Sequence, residues 1–210
     1  MIQAVLFDFD GVLTTDATGS LSTCRALSEM SGIPFEQVNT AYRKHNNALL
    51  CGKMIHADMW AEFCADLGED VDFSLLQEAF LATPLDARML RLAQILKAAG
   101  YRIGMVTDNK SDRLRSLSAY YGWDALFDVI AVSADIGSGK EERAIFDFAL
   151  QALSLPPEDC VFIDNTEKNL LMPRKMGLKT IHYDHEKRDF ALLRSKLQQY
   201  CENLPEEDET

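Results

Sequence analysis

A chain of 210 residues with 47% apolar side chains has the material for a packed core plus an inserted piece, which excludes a disordered or linker protein. A formal net charge of -12, with no Lys/Arg-rich run to offset it locally, argues against nucleic acid as a partner, though a small phosphate can still be held by a cation and amide dipoles at short range. The five cysteines, at 24, 51, 64, 160 and 201, show no CxxC spacing and read as reduced thiols; with no basic leader and no apolar run of bilayer length, the sequence predicts a cytoplasmic chain with no membrane partner.

The first element is the continuous apolar run Ala4-Val5-Leu6-Phe7, the pattern of a strand buried on both faces of a parallel sheet, and it ends abruptly in Asp8. From residue 15 to residue 84 the periods are helical (Phe35, Val38, Tyr42; Ile55, Met59, Phe63, Leu67; Leu75, Leu76, Ala79, Phe80). Gly32, Pro34 and Gly52 punctuate them, so about four helices are expected as an inserted bundle. Leu85, Met89, Leu92 and Leu96 then mark a helix closed near Gly100. Strands follow at Ile103–Val106, Phe127–Val132, Val161–Ile163 and Thr180–Tyr183, alternating with helices over Arg113–Tyr121, Glu141–Leu153, Thr166–Met176 and Phe190–Cys201. The expected architecture is an α/β, Rossmann-like parallel-sheet core built from residues 1–14 and 85–203, a small helical cap over 15–84, and an acidic tail at 204–210. Frayed structure is expected from Glu202 onward.

Ligands of doubly wound sheets gather where strands deliver their carboxyl ends, and Asp8, Thr107 and Asp164 each terminate an apolar strand. Asp10 and Gly11 follow Asp8, completing Asp8-Phe9-Asp10-Gly11-Val12-Leu13-Thr14; the glycine permits a tight backbone that brings two carboxylates to one ligand. This apolar strand running into DxDGVLT resembles the first motif of the haloacid dehalogenase superfamily. Val106-Thr107-Asp108-Asn109 is similar to its second motif, the segment from Ser133 to Lys140 to its third, and Phe162-Ile163-Asp164-Asn165, with Asn169 and Gly177 downstream, to its acidic fourth. The helical insert between the first two motifs resembles the C1 cap of subfamily I.

The resemblance implies a magnesium-dependent phosphohydrolase of small phosphorylated metabolites, and phosphoryl-transfer chemistry gives each residue a task. Asp8 would attack phosphorus. Asp10, expected to be crowded by carboxylates and so to hold its proton tightly, would protonate the leaving oxygen and later activate water. Thr107 and Lys140 would grip and neutralise the transferring oxygens, with Gly11, Asp108 and Asn109 completing the phosphate-binding set. Asp8, Asp10, Asp164 and Asn165 would hold Mg²⁺, which suits oxygen ligands with retained waters. Two departures stand out: Asn165 where the family usually has a second acid, and Lys140-Glu141 where it usually has Lys-Pro.

Rival readings are a phosphomutase, which shares the phosphoenzyme, and a non-catalytic phosphate-sensing relative; dehalogenase chemistry is disfavoured by the acid at Asp10. The run Gly137-Ser138-Gly139-Lys140 does not complete a GxxxxGK(S/T) nucleotide loop, since Ala134 and Glu141 break it. His45, His56, His182 and His185 lack metal-ligand spacing, and Trp60 reads as core. Arg43, His45 and Asn46 of the insert are candidates to meet the part of a substrate beyond its phosphate, against a solvated helix face as the commoner reading of any one of them.

Overall fold

The computed structural model describes residues 1–205. Five parallel strands, β1 (Ala4–Phe7), β2 (Arg102–Thr107), β3 (Val129–Val132), β4 (Cys160–Asp164) and β5 (Lys179–His182), stand in the order β3-β2-β1-β4-β5. The most apolar strand is therefore central, as a strand covered on both faces must be. Alternate residues of β1 serve opposite layers. Val5 and Phe7 pack with Met89, Leu92 and Leu96 of α5 (Ala87–Ala98) and with Leu193 and Leu197 of α10 (Phe190–Gln198). Ala4 and Leu6 pack with Ile145, Phe146 and Ala149 of α8 (Ala144–Leu153).

The insert forms four helices, α1 (Gly19–Ser31), α2 (Phe35–Leu50), α3 (His56–Leu67) and α4 (Ser74–Leu81), around their own core of Leu27, Val38, Tyr42, Met59, Phe63 and Phe80. Trp60 belongs to that core and donates Nε1–H to Val71 O at 2.8 Å. The chain leaves and re-enters the sheet domain side by side: Thr14 and Leu85 form an antiparallel bridge, flanked by Thr15 N to Pro84 O at 2.9 Å and Asp86 N to Leu13 O at 2.8 Å. At the far side the insert is pressed against the core. A Cβ on Gly52 would come within 1.9 Å of Ala134 O, and Gly52 has φ +67, so the turn after α2 requires glycine twice over.

Helix α6 (Ser111–Tyr121) lies between β2 and β3 and packs against α4. Some boundaries differ from the sequence expectation. Residues 141–143 form a turn before α8, because Lys140 is drawn inward by buried carboxylates. The segment after β4 begins as a 3₁₀ turn, Glu167–Leu170, before α9 (Leu171–Met176), and a four-residue α7 (Ser133–Ile136) follows β3. Among the described residues no helix is long and apolar enough to cross a membrane, and all five cysteines are free.

The tail is a correction. Its acidic composition predicts fraying from Glu202, yet Cys201 and Leu204 are buried in the sheet's apolar cluster, Asn203 N donates to Tyr101 Oη at 3.2 Å, and Arg194 donates to Pro205 O. Cys201 and Leu204, three residues apart on a polar background, give too short a signal to read. The rest of the expected tail, 206–210, lies outside the described residues. Leu204→Ala should lower unfolding free energy by about 2 kcal/mol in a urea titration, the cost of a core truncation that can partly collapse. An unchanged midpoint would mean the segment is not docked.

Candidate active site

The parallel register builds the site. Phe7 pairs with Ile163 on one side and Met105 on the other, and Asp8 N donates to Ile163 O at 2.8 Å, so Asp8 leaves the sheet beside Asp164. Thr107 ends β2, the neighbour on the other side. Beyond Asp8 the chain makes a wide turn over Phe9–Leu13, closed by Thr14 N to Phe9 O at 3.1 Å. Gly11 has φ +81, and a Cβ there would lie 2.2 Å from Asn165 Nδ2, so the turn and the fourth motif touch only because residue 11 lacks a side chain.

Lys140 is the buried cation of this cluster. Its Nζ is 2.8 Å from Asp8 Oδ2 and 2.7 Å from Asp164 Oδ2, while its backbone N–H donates to Asp108 Oδ1 at 2.9 Å. The other Asp8 oxygen accepts from Phe9 N at 2.7 Å. Asp164 also accepts from Thr166 N at 2.7 Å and Asn169 Nδ2 at 3.2 Å. Burial, then repulsion from Asp164, pushes the Asp8 carboxyl well above the usual carboxylate range despite Lys140. Burial alone would pull Lys140 down, but Asp8 and Asp164 outweigh it and hold the ammonium above its ordinary value. Two carboxylates sharing one lysine leave a surplus of negative charge.

Asp10 lies in a different environment from the one expected. Its side chain meets no crowd of carboxylates: Arg113 of α6 donates to both oxygens, Nη1 to Oδ2 at 2.9 Å and Nη2 to Oδ1 at 3.0 Å, and Asn109 Nδ2 donates to Oδ2 at 2.8 Å. Arg113 is fully buried, its Nη2 also reaches Thr83 Oγ1 at 3.0 Å on the returning linker, and its guanidinium lies over the Phe9 ring at 5.3 Å. A Cβ on Gly19, the first residue of α1, would come within 2.0 Å of Arg113 Nη1. Asp8 and Asp10, one residue apart, thus point to two separate cations.

A cavity of about 500 Å³ opens between sheet and insert. Asp8, Asp10, Thr107, Asp108, Lys140 and Asn165 line its floor, and Ser20, Asn39, Arg43 and Asn46 its cap side. Gly11 and Asn109 are close by but do not line it; Asn109 is turned to Asp10 and to Thr107 Oγ1, at 3.3 Å. Asp164 stands beneath the floor, and His45 is buried within the insert. The sequence reading missed Arg113, Lys110 and Ser133. Arg113 occupies an exposed-looking position of a polar helix and announces itself only through its partners; Ser133 Oγ donates to Leu50 O at 2.9 Å and accepts from Asn109 N at 3.0 Å, joining insert to core.

An aspartate at the tip of a central parallel strand, a lysine bound to it and a four-helix cap over the shared cavity define a capped Rossmann-like hydrolase. Residues 2–177 match the family model of haloacid dehalogenase-like hydrolases, and the chain belongs to that family. It is 27% identical over 204 residues to the mouse bifunctional epoxide hydrolase 2, covering 86% of this chain and 36% of that protein, so the chain spans about a third of that relative's length. It is 22% identical over 192 residues to the phosphoglycolate phosphatase of Colwellia psychrerythraea, covering 85% and 83% of the two chains. In fold it is similar to the magnesium complex of the HAD family enzyme bt-2542 from Bacteroides thetaiotaomicron, with a TM-score of 0.72 at 16% identity over 92% of this chain and 98% of that one.

Removing one partner of a buried ion pair strands the other, so Arg113→Met should destabilise the protein by about 3 kcal/mol in chemical unfolding. Asp10→Asn in that background should restore more than half the loss. Strictly additive losses would show that the pair is not coupled.

Proposed function

We propose that the chain is a magnesium-dependent phosphomonoesterase that hydrolyses a small phosphorylated metabolite, such as a sugar phosphate, through an aspartyl-phosphate on Asp8. The observation that carries this reading is the placing of Asp8, Thr107 and Lys140 by neighbouring strand ends and one loop on the floor of a single cavity. An Asp8 oxygen attacks phosphorus while the ester P–O bond breaks and the leaving oxygen takes a proton from Asp10. Asp10, now a carboxylate, takes a proton from water as that water attacks the phosphoryl group; phosphate leaves and Asp8 is regenerated. For either transfer, one Asp10 oxygen must turn from Arg113 and Asn109 toward the cavity. Thr107 Oγ1 and Lys140 Nζ hold the phosphoryl oxygens, and Asp108 fixes the lysine loop.

The donor set suits a hard cation. Among the described residues no group of three or more His, Cys, Asp or Glu side chains is arranged to hold a metal, but Asp8 and Asn165 offer oxygens at the floor and Asp164, beneath it, shares Lys140 with Asp8. Magnesium is bound in this manner, through one or two carboxylates, retained waters and substrate phosphate. With the Asp10 side chain paired to Arg113 and Asn109 and reserved for the proton transfers, the side-chain ligands proposed are Asp8, Asp164 and Asn165. The ion would offset the surplus charge around Asp8 and polarise the phosphoryl group. The bt-2542 relative is described with magnesium, and the Colwellia relative is named for a phosphatase activity. The insert's position between the first two motifs supports a C1-capped, subfamily I assignment, and the free cysteines fit a cytoplasmic setting.

With p-nitrophenyl phosphate and Mg²⁺, the parent should release phosphate and Asp8→Asn should fall by about 1,000-fold or more, the scale for loss of a nucleophile. Chelation by EDTA should abolish turnover, and added Mg²⁺ should restore it. No turnover in either protein with inorganic phosphate still bound would replace the phosphatase by a phosphate sensor. Transfer to a sugar hydroxyl without net phosphate release would identify a mutase.

A further inference from the structure

Lys110 plays no part in the chemistry above, yet it is a buried ammonium on the wall of the same cavity. Its Nζ donates to Ser20 Oγ at 2.7 Å and lies 5.7 Å from the centre of the Tyr42 ring. Ser20 Oγ in turn donates to Asn46 Oδ1 at 2.8 Å. An ammonium has three donors, and these contacts leave it at least one N–H without a partner. The acids nearest in the fold are spoken for: Asp10 is paired with Arg113, and Asp112 with the ring and backbone of His56, at 2.8 Å and 3.0 Å. Among the described residues Lys110 has no ion pair. Burial, with the Arg113 charge, pulls it down to about 8. Arg43, on the same side of the cavity, also forms no ion pair or side-chain hydrogen bond with any described residue.

The cavity is thus divided by sign. Its floor carries Asp8 and Asp108, with Asp164 beneath, against Lys140, and Asp10 paired with Arg113, whereas its cap end carries Lys110 and Arg43 with the amides of Asn39 and Asn46. The floor suits a cation and a phosphoryl group. Among the described residues no acid pairs with Lys110 or Arg43; Arg43 is exposed and solvated, but the Lys110 ammonium is kept from water, which is costly without a counter-ion unless a ligand brings the missing charge.

We propose that Lys110 and Arg43, with Asn46, form a second anion site, so that the preferred substrates are phosphomonoesters whose leaving group carries its own carboxylate or phosphoryl group. This rests on the phosphatase reading of the floor. A neutral sugar phosphate would leave the cap-end cations unpaired, whereas a phosphorylated acid or a bisphosphate fills both ends of a cavity of about 500 Å³.

The test compares substrates that differ only in the second anion: 3-phosphoglycerate against glycerol 3-phosphate for a carboxylate, and fructose 1,6-bisphosphate against fructose 6-phosphate for a phosphoryl group. In the parent, kcat/KM should favour the acidic member of one pair by about 30-fold, the scale of a desolvated charged hydrogen bond, and the pair that shows it names the group. Lys110→Met should collapse that ratio toward unity, and Lys110→Arg should retain part of it. Arg43→Gln, at an exposed position, supplies the same reading should Lys110→Met not fold. Since kcat/KM reports the free enzyme, the ratio should fall as pH rises through about 8, where Lys110 loses its proton among Arg113, Asp10, Asp112, Cys24 and Tyr42. Equal turnover within both pairs in the parent, or an equal loss on both members in Lys110→Met, would overturn the proposal. If no phosphoester is hydrolysed, the phosphatase reading fails by itself. Calorimetric binding of 3-phosphoglycerate and glycerol 3-phosphate to Asp8→Asn, and of the bisphosphate pair likewise, then decides the subsite, which is refuted if Kd does not separate either pair.

Discussion

Two carboxylates buried side by side repel each other strongly, and the register of β1 with β4 leaves Asp8 and Asp164 no other arrangement. Lys140 makes that arrangement tenable by placing one ammonium within 2.8 Å of both. Much of the neighbouring structure serves the lysine. Asp108 captures its backbone N–H, the turn over residues 141–143 delays the start of α8, and Asn169 and the Thr166 N–H take up the remaining valences of Asp164. Because this cluster is closed and already negative, Asp10 is best stabilised elsewhere, and Arg113 provides the second cation. Two adjacent but separate charge clusters result from a dipeptide spacing that, read in one dimension, looks like a single acidic site.

The second cluster extends from chemistry to architecture. Arg113 touches Asp10, the returning linker at Thr83 and, by close packing, the start of α1 at Gly19, so both connections between core and insert abut one guanidinium. His56 repeats the theme one residue earlier on α6, at Asp112. Its ring lies between Asp112 at 2.8 Å and Tyr42 Oη at 2.7 Å, with the backbone N–H of the same residue also on Asp112. Burial holds the imidazole below its ordinary value, while hydrogen bonds from His56 draw Asp112 down in spite of its own burial, so the pair works as a directional hydrogen bond across the seam. Ser133 and Gly52 add a third fastening at the far end of α2. The insert therefore sits over the cavity on several polar contacts as well as on α4 against α6.

The sheet was legible because its strands are short apolar runs ending in polar residues, a pattern enforced by burial on both faces and by the need to deliver side chains at the carboxyl edge. The insert was legible from helical periodicity around its own core. The local chemistry of Asp10 was not, since carboxylates near in sequence suggest mutual crowding, and the cation that intervenes arrives from residue 113. Asn109 was placed among phosphate-binding residues for its position in the second motif, whereas its side chain is spent on Asp10 and Thr107. Lys110 and Arg113 look like ordinary solvated residues at the head of a polar helix; only the packing of the insert on that helix buries them. The docked tail shows the same limit, because two apolar residues carry no periodic signal.

Asn165 gains a physical rationale from the charge arrangement. A second acid there would adjoin a floor where burial and Asp164 already push Asp8 upward, adding repulsion at the nucleophile whenever no cation is bound. The amide keeps an oxygen for a ligand and a compact side chain against Gly11, and it adds no charge. Under the metal assignment proposed above, the cost is weaker attraction for the ion and the gain is less repulsion at Asp8 in the ion-free protein. The same economy of negative charge at the floor sharpens the contrast with Lys110 and Arg43 at the cap end, the pair proposed above to meet a second anion.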